Sequence, residues 1–162
     1  MRLPKVYLET TLFNFYFDEA RDAHADTVKL FQEIAVGKYE AFTSTYVTDE
    51  LEKAPQAKRD KMMNLITQYD ITVLAPHVEA VRMAGIYVAE GVIPQRFHTD
   101  GLHIAIAAVH DLDMIVSMNF QHIVKRKTIT MTGYINTMNG YRAIEIYSPM
   151  EVIEDDDENK NA

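Results

Sequence analysis

Hydrophobic and polar positions follow two different periods along the chain, and together they predict short strands alternating with helices. Apolar runs rich in β-branched and aromatic residues predict strands at residues 6–8, 41–43, 71–74, 114–117 and 143–147. Helical spacing and longer apolar runs predict helices at residues 12–17, 22–36, 44–54, 62–69, 77–90 and 100–109. Residues 120–142 are predicted only as a polar segment.

Turn and cap residues support these boundaries. Gly37 follows the second helix at the position of a C-cap glycine. Ser44 and Thr45 can cap the third helix, and Pro55 ends it. Because strands and helices alternate, we expect a mostly parallel sheet with right-handed crossovers and helices on both faces.

Length and composition favour a single globular domain. The 162 residues suffice for a hydrophobic core, and hydrophobic residues make up 48% of the chain. Cysteine is absent from the sequence, which excludes disulfides, thiolate catalysis and cysteine-ligated metal centres. We expect one domain at residues 1–153 and an acidic, disordered tail at residues 154–162.

The formal net charge of −8 is unevenly distributed. Residues 151–162 contain six acidic residues and one lysine, so this short stretch carries −5 and the first 150 residues carry −3. Basic residues concentrate at positions 58–61 and 125–127. The distribution therefore leaves a nucleic-acid partner open despite the acidic total.

Nothing in the sequence predicts a membrane role. The longest apolar stretches, residues 101–109 and 114–116, are much shorter than the roughly 20 residues that cross a bilayer. The apolar run after the N-terminus is too short for a signal peptide, so we expect a cytoplasmic protein.

Four oxygen-bearing side chains occupy strand ends and helix starts. Glu9 follows the first strand, Asn119 follows the fourth, and Glu50 and Asp100 lie near the beginnings of helices. In parallel sheets, reactive groups collect at the carboxyl ends of the strands. Magnesium and manganese prefer such hard oxygen ligands, and clustered carboxylates repel one another unless a cation neutralises them.

Each of these residues also has an ordinary structural interpretation. Asp100 can cap its helix, and Asn119 can belong to a simple turn. Glu50 can be a solvated helix residue, and the adjacent Asp49 can equally be the important acid. Glu9 is unusual at a strand end because glutamate favours neither caps nor strands.

Histidine suggests a zinc site, but the spacing argues against one. His98 and His103 are five residues apart, which does not place two ligands on one helical face. The chain also has no His-Glu-x-x-His motif. We therefore expect His103 to be a core histidine whose hydrogen bonds are satisfied.

Several segments together resemble the successive motifs of PIN-domain proteins, including VapC-like toxin nucleases. They arrive in the expected order over residues 3–153, and two of them, Asp-x-Leu-His-Ile-Ala-x-Ala and Asn-Phe-x-His-Ile-Val, are the more specific. The segments are residues 6–11 (VYLETT), 44–51 (STYVTDEL), 100–107 (DGLHIAIA), 115–124 (IVSMNFQHIV) and 140–149 (GYRAIEIYSP).

The resemblance implies a three-layer α/β/α sandwich and hydrolysis of RNA phosphodiesters with Mg²⁺ or Mn²⁺. It implies that Glu9, Glu50 and Asp100 bind metal, that Asn119 replaces a fourth acid, and that the Thr11 hydroxyl supports the site. It further implies a toxin of a toxin–antitoxin pair, with RNA as substrate, an antitoxin as partner and a homodimer as the assembly.

The sequence departs from the family pattern in two places, which keeps a second function open. Glu9 stands where the family has aspartate, and Asn119 supplies a neutral oxygen where many relatives have a charge. The alternative is therefore a non-catalytic PIN-fold module that binds RNA or a partner protein. A phosphoacceptor receiver domain is disfavoured because its required aspartate is absent after the third strand, at residues 71–76.

The basic run after Asn119 supplies candidate phosphate contacts, namely Lys125, Arg126 and Lys127. A solvated basic turn is the other interpretation of the same run.

Overall fold

The computed structural model describes residues 2–154 and contains a five-stranded sheet. Its strands are β1 (Lys5–Leu8), β2 (Glu40–Ser44), β3 (Thr72–Leu74), β4 (Met114–Val116) and β5 (Glu145–Tyr147). The helices are α1 (Thr10–Phe15), α2 (His24–Ala35), α3 (Thr45–Leu51), α4 (Gln56–Gln68), α5 (Val78–Ala89), α6 (His98–Val109), α7 (Arg126–Met138) and α8 (Pro149–Val152). A 3-10 turn, Gln95–Phe97, leads directly into α6.

All strand pairs in the sheet are parallel, and the strand order is β3-β2-β1-β4-β5. The chain fills one side of the sheet from β1 through β3 and then returns to place β4 on the other side of β1. The strand order therefore reverses between β1 and β4. The carboxyl ends of two such strands border a crevice in which α/β proteins commonly bind ligands.

Helices cover the sheet on both faces, which confirms the predicted α/β sandwich. Helix α5 packs on α6 and α7, whereas α2 packs on α1 and α8, and α3 contacts α1, α4 and α6. The central strand β1 is almost completely buried, as its apolar sequence predicts for a strand covered on both sides. Large core side chains from both helical layers include Phe13, Phe31 and Tyr87.

Local chemistry explains where several elements begin and end. Ser44 caps α3 by accepting a hydrogen bond from the backbone N–H of Tyr46, as the sequence predicts. Gly37 follows α2 with a φ of +86°, a left-handed conformation that costs glycine no steric strain. Ser148 and Glu151 form a capping box around the Pro149 start of α8.

Helix α7 corrects the prediction of a polar segment without regular structure at residues 120–142. Its buried positions are Thr128, Thr132, Ile135 and Asn136, which follow helical spacing although three of the four are polar. The hydroxyl groups of both threonines donate to backbone carbonyls, and Asn136 accepts a hydrogen bond from Tyr87. Hydrogen bonds therefore satisfy most of the polar groups on this face, with the Asn136 amide nitrogen left without a partner among residues 2–154. The face leaves no apolar period to detect.

The start of α6 and the basic run also differ from expectation. Helix α6 begins at His98, so Asp100 is its third residue and Phe97 is the N-cap, without a side-chain cap bond. Asp100 is therefore not a helix cap. Lys125 is the N-cap residue of α7, so the basic run begins a helix and is not a simple solvated turn.

Asp113 links the residues at the start of β1 to Arg142, which precedes β5. Its carboxylate accepts hydrogen bonds from the backbone N–H of Lys5 at 2.7 Å and from the side chains of Arg2 and Arg142 at 3.0 and 3.3 Å. Burial alone would raise the pKa of Asp113, but these donors hold it below its ordinary value.

Glu154 is the last residue that the structure describes. Glu154, which was assigned to the tail, donates its backbone N–H to Oε1 of Glu33 at 3.0 Å, and its carboxylate accepts from Lys38. The rest of the predicted tail, residues 155–162, lies outside the described residues. Within residues 2–154, no helix is both long enough and apolar enough to cross a membrane.

Candidate active site

Glu9 lies at the switch point of the sheet, directly after β1. Its backbone N–H donates to the carbonyl of Val116 at 3.1 Å, which extends the pairing of β1 with β4 by one residue. It is also the N-cap of α1, with φ −82° and ψ 161°. Glutamate therefore serves as an N-cap here, although its type is unfavourable at that position.

The Glu9 side chain is held by three donors on one oxygen. Oε1 accepts from the backbone N–H of Thr11 at 3.2 Å, from the Thr11 hydroxyl at 2.5 Å and from the Ser117 hydroxyl at 2.6 Å. Only 3% of the residue is exposed. Within residues 2–154, no group donates to Oε2, so this oxygen is available to a ligand.

Thr11 and Ser117 are themselves fixed by the loop after β4. The Thr11 hydroxyl accepts a hydrogen bond from the backbone N–H of Met118 at 2.8 Å. The Ser117 hydroxyl accepts from the backbone N–H of Asn119 at 2.9 Å. Both hydroxyls therefore donate hydrogen bonds to Glu9 and accept hydrogen bonds from the loop after β4. The role predicted for Thr11 was to support the site, and that role stays a prediction.

Glu50 approaches Glu9 from helix α3. Its Oε1 accepts from the Thr10 hydroxyl at 3.0 Å and from Nε2 of His103 at 2.6 Å. The side chain is 34% exposed, and among residues 2–154 no donor is bonded to its Oε2. Burial would raise the pKa of Glu50, but the His103 and Thr10 contacts lower it below its ordinary value.

His103 connects three segments of the chain and is fully buried. Its Nδ1 lies 2.7 Å from the Tyr7 hydroxyl, which in turn lies 2.7 Å from the Ser44 hydroxyl. Both ring nitrogens are therefore bonded, which confirms the prediction of a satisfied core histidine. Burial would lower the pKa of His103, but its hydrogen bond to Glu50 and the surrounding acids raise it.

Asp100 faces the same acids from the first turn of α6. Burial raises its pKa and the charge of Glu50 adds to that effect, while His103, His122 and a hydrogen bond from the Asn119 side chain oppose it. Oδ1 of Asn119 also accepts the backbone N–H of His122 at 3.0 Å. Asn119 therefore fixes the turn that leads to His122.

The predicted acids converge around one imidazole. Glu9, Glu50 and Asp100 each interact electrostatically with His103, and burial raises the pKa of Glu9 against the effects of His103, Ser117 and Thr11. A cluster of carboxylates with perturbed pKa values in a crevice is typical of functional sites. Their roles as ligands or catalysts remain predictions.

The donor chemistry of this cluster fits a hard divalent cation. Mg²⁺ and Mn²⁺ are commonly held by one or two carboxylates while they keep several waters, and Glu9 and Glu50 each leave one oxygen unbonded. As the side chains stand, no group of three or more histidine, aspartate or glutamate residues within residues 2–154 is arranged to hold a metal ion.

Sequence reasoning missed three contributors to this site. Thr10 follows Glu9 directly, Ser117 ends the apolar run of β4, and His103 lies three residues after Asp100 on the same face of α6. The available indication was proximity in sequence to Glu9 for Thr10, to Asp100 for His103 and to Asn119 for Ser117. The partnership between His103 and Glu50 joins residues 53 positions apart and required the tertiary structure.

The predicted phosphate contacts lie at the beginning of α7. The Lys127 ammonium donates to the carbonyl of Gly91 at 3.0 Å, so this residue has a structural partner. Lys125 and Arg126 are exposed at the same helix start. They follow the loop that carries Asn119 and so remain candidates for binding a substrate phosphate.

Comparisons with known proteins support the fold. No protein-family model matches the sequence, and no curated protein matches it. One solved structure with a similar fold is VapBC2 from Rickettsia felis bound to a DNA fragment from their promoter. The matched chain is 12% identical with a TM-score of 0.54, and the alignment covers 89% of this chain and 98% of that chain. The chain therefore has the PIN-like, VapC-like fold that its motifs predict.

Proposed function

We propose that the protein is a divalent-metal-dependent ribonuclease of the PIN type that hydrolyses RNA phosphodiesters with Mg²⁺ or Mn²⁺. The observation that carries the proposal is the cluster of Glu9, Glu50 and Asp100 at the switch point. In the part of the chain that the structure describes, Glu9 and Glu50 each keep one oxygen free of protein hydrogen bonds. A bound cation would further offset the mutual repulsion and desolvation of these carboxylates, beyond what their protein hydrogen bonds provide.

Each residue of the cluster would have a role set by its position. Glu9 and Glu50 would hold the cation through their free oxygens, since their other oxygens are fixed by Thr11, Ser117 and His103. Asp100, which lies on α6, would add the third carboxylate of the cluster. When bound, the cation supplies an activated water and neutralises charge on the leaving oxygen. A covalent protein intermediate is not required.

We further propose that the protein is the toxin of a toxin–antitoxin pair, acting in the cytoplasm as a homodimer. Support comes from the fold it shares with a chain of VapBC2, described above as a complex bound to promoter DNA. The presence of a small antitoxin gene beside the gene for this chain would support this part of the proposal. Copurification of that antitoxin with the protein would test the partnership directly.

The test of the nuclease proposal compares wild type with Asp100→Asn and Glu50→Gln. We expect wild type to cleave single-stranded RNA with Mg²⁺ or Mn²⁺ and to lose cleavage in EDTA, and we expect both variants to lose at least a hundredfold in rate. Glu52→Gln is the matched control, because Glu52 is an exposed acid two residues from Glu50. Cleavage that persists in Asp100→Asn, or in EDTA, would contradict the mechanism.

A non-catalytic module that binds RNA or a protein is the second candidate. The hydrogen bond from His103 to Glu50 favours it, because an imidazolium at this position can neutralise the acids without metal. Titration calorimetry with Mn²⁺ separates the two candidates. Absence of Mn²⁺ binding and of cleavage in wild type, together with retained RNA binding, would establish the module and exclude the nuclease.

A further inference from the structure

A second cleft opens beside the acidic site, between the end of α1 and the beginning of α4. It has a volume of about 440 Å³. Its lining residues are Asn14, Phe17, Asp18, Ala57, Lys58 and Lys61. None of them contributes to the acidic cluster, so the cleft is a separate feature of the surface.

The cleft presents two lysine side chains. Lys58 and Lys61 are exposed and three residues apart on α4, so their side chains lie on the same face of the helix. Among residues 2–154, neither forms an ion pair or a hydrogen bond. The acid in the cleft, Asp18, is paired with Arg21 at 3.2 Å. The cleft therefore has a positive charge available for an anion.

An aromatic ring of fixed orientation forms another part of the cleft. Phe17 is 38% exposed, and its ring packs edge-on against Tyr16 with 4.9 Å between centroids. Tyr16 packs in turn on Phe31, and its hydroxyl bonds that of Tyr69 at 2.6 Å. An exposed aromatic ring held in this way provides a stacking surface for a nucleotide base.

Helix α1 connects this cleft to the acidic site. The first residue of α1, Thr10, donates to Glu50, and one turn later the Asn14 side chain donates to the Thr10 carbonyl at 3.5 Å. Four helical residues span about 6 Å along the axis, which is roughly two base steps of a stacked strand. A strand bound in the cleft can therefore continue into the acidic site.

We propose that this cleft is a binding subsite for single-stranded RNA, in which Lys58 and Lys61 contact backbone phosphates and Phe17 stacks on a base. Paired phosphate contacts beside a stacking ring are the chemistry by which proteins hold single strands without reading their sequence. The subsite rests on the proposed function only in requiring that the protein binds RNA, and it does not require cleavage.

The first experiment measures RNA binding without cleavage. Fluorescence anisotropy of a labelled single-stranded RNA in EDTA is followed across a salt series for wild type and Lys58→Gln/Lys61→Gln. We expect the double variant to bind about tenfold more weakly, and the slope of log affinity against log salt to fall by about 1.4, because each phosphate contact on a single strand contributes about 0.7. Arg2→Gln/Lys5→Gln removes the same charge beside the amino end of β1 and should leave the slope unchanged.

The second experiment tests the aromatic ring. Phe17→Leu should weaken RNA binding about fivefold or more, and Phe17→Tyr should restore it, because a tyrosine ring stacks as phenylalanine does. Equal binding by wild type and Phe17→Leu would remove the stacking role. If Phe17→Tyr weakens binding as much as Phe17→Leu does, the loss reflects packing around Tyr16, and the stacking role is also overturned.

The two proposals fail in distinguishable ways. If wild type binds RNA but never cleaves it, the nuclease proposal fails, while a reduced salt slope in Lys58→Gln/Lys61→Gln still supports the subsite. If wild type cleaves RNA and the double variant keeps the wild-type slope and affinity, the subsite is overturned and the nuclease stands. In that case, binding of an acidic protein segment that depends on both lysines would assign the cleft to a protein partner instead.

Discussion

Replacing Glu9 by aspartate tests whether this chain is built for the longer side chain. The family pattern has aspartate at this position, but here Thr11 and Ser117 are spaced to meet the glutamate oxygen at 2.5 and 2.6 Å. Removing one methylene withdraws the carboxylate by more than about 1 Å, which takes a 2.6 Å contact beyond hydrogen-bonding distance. Aspartate is a better N-cap than glutamate, so we expect the Thr11 N–H contact to be kept.

The loss can be estimated from the contact to Ser117. A hydrogen bond to a charged group contributes about 1.5–3 kcal/mol, and the improved cap offsets a few tenths of this. Glu9→Asp should therefore lower the free energy of unfolding by roughly 1–2.5 kcal/mol, or the melting temperature by about 3–8 °C for a domain of this size. Urea unfolding in EDTA measures this without a contribution from bound metal.

A double-mutant cycle assigns the effect to the proposed contact. Glu9→Asp, Ser117→Ala and the combined variant are compared, and we expect a coupling energy of at least about 1 kcal/mol because the two side chains touch. Additive effects, or a Glu9→Asp protein as stable as wild type, would refute the argument that the site matches glutamate. Mn²⁺ titration of Glu9→Asp then tests the family expectation that the shorter carboxylate binds metal more tightly.

Four further outcomes follow from the structure. Asp100→Asn should abolish Mn²⁺ binding in calorimetry while the melting temperature stays level or rises, because burial already disfavours its charge. His103→Gln should retain more Mn²⁺ affinity than His103→Ala, since glutamine can still donate to Glu50. The pKa of Asp113 is lower in the folded than in the unfolded protein, so its ionised carboxylate stabilises the fold above the unfolded pKa, and this stability is lost as the pH falls through the folded pKa. Asp113→Asn should therefore make the free energy of unfolding in urea less dependent on pH in the acid range. Deletion of residues 155–162 should leave the melting temperature unchanged, whereas deletion from Glu154 should lower it by about 1–3 °C, because its backbone N–H bonds Glu33.

The sequence predicts the centre of the sheet well because β1, β2 and β4 are largely buried. In β1 and β4, continuous apolar residues mark the strands, and the switch of period marks the helices. Helix α7 escaped detection because Thr128, Thr132 and Asn136 occupy its buried face, where the two threonine hydroxyls donate to backbone carbonyls and Asn136 accepts from Tyr87. Hydrophobic periodicity cannot report a helix whose buried positions are polar.

The candidate site likewise has one part that the sequence predicts and one part that it does not. The acids could be found from the chain alone, because topology sends strand ends and the starts of the following helices to one edge of a parallel sheet. Their partners could not, since the Glu50 and His103 pair and the Glu9 and Ser117 pair are set by packing between distant elements. Local sequence therefore identifies which groups carry charge, and tertiary structure decides what holds each of them.

The hydrogen bonds around the acids accompany a desolvation cost that an apolar cluster would not have. Thr10, Thr11 and Ser117 all direct their hydroxyl protons to carboxylates, and His103 does the same with its Nε2 proton. Apolar side chains at these positions would remove the desolvation cost of the charges along with their partners, and such replacements are often neutral or stabilising. Within residues 2–154, these contacts involve one oxygen of Glu9 and one oxygen of Glu50. The polar network therefore fixes the two carboxylates in defined orientations, which packing alone does not require.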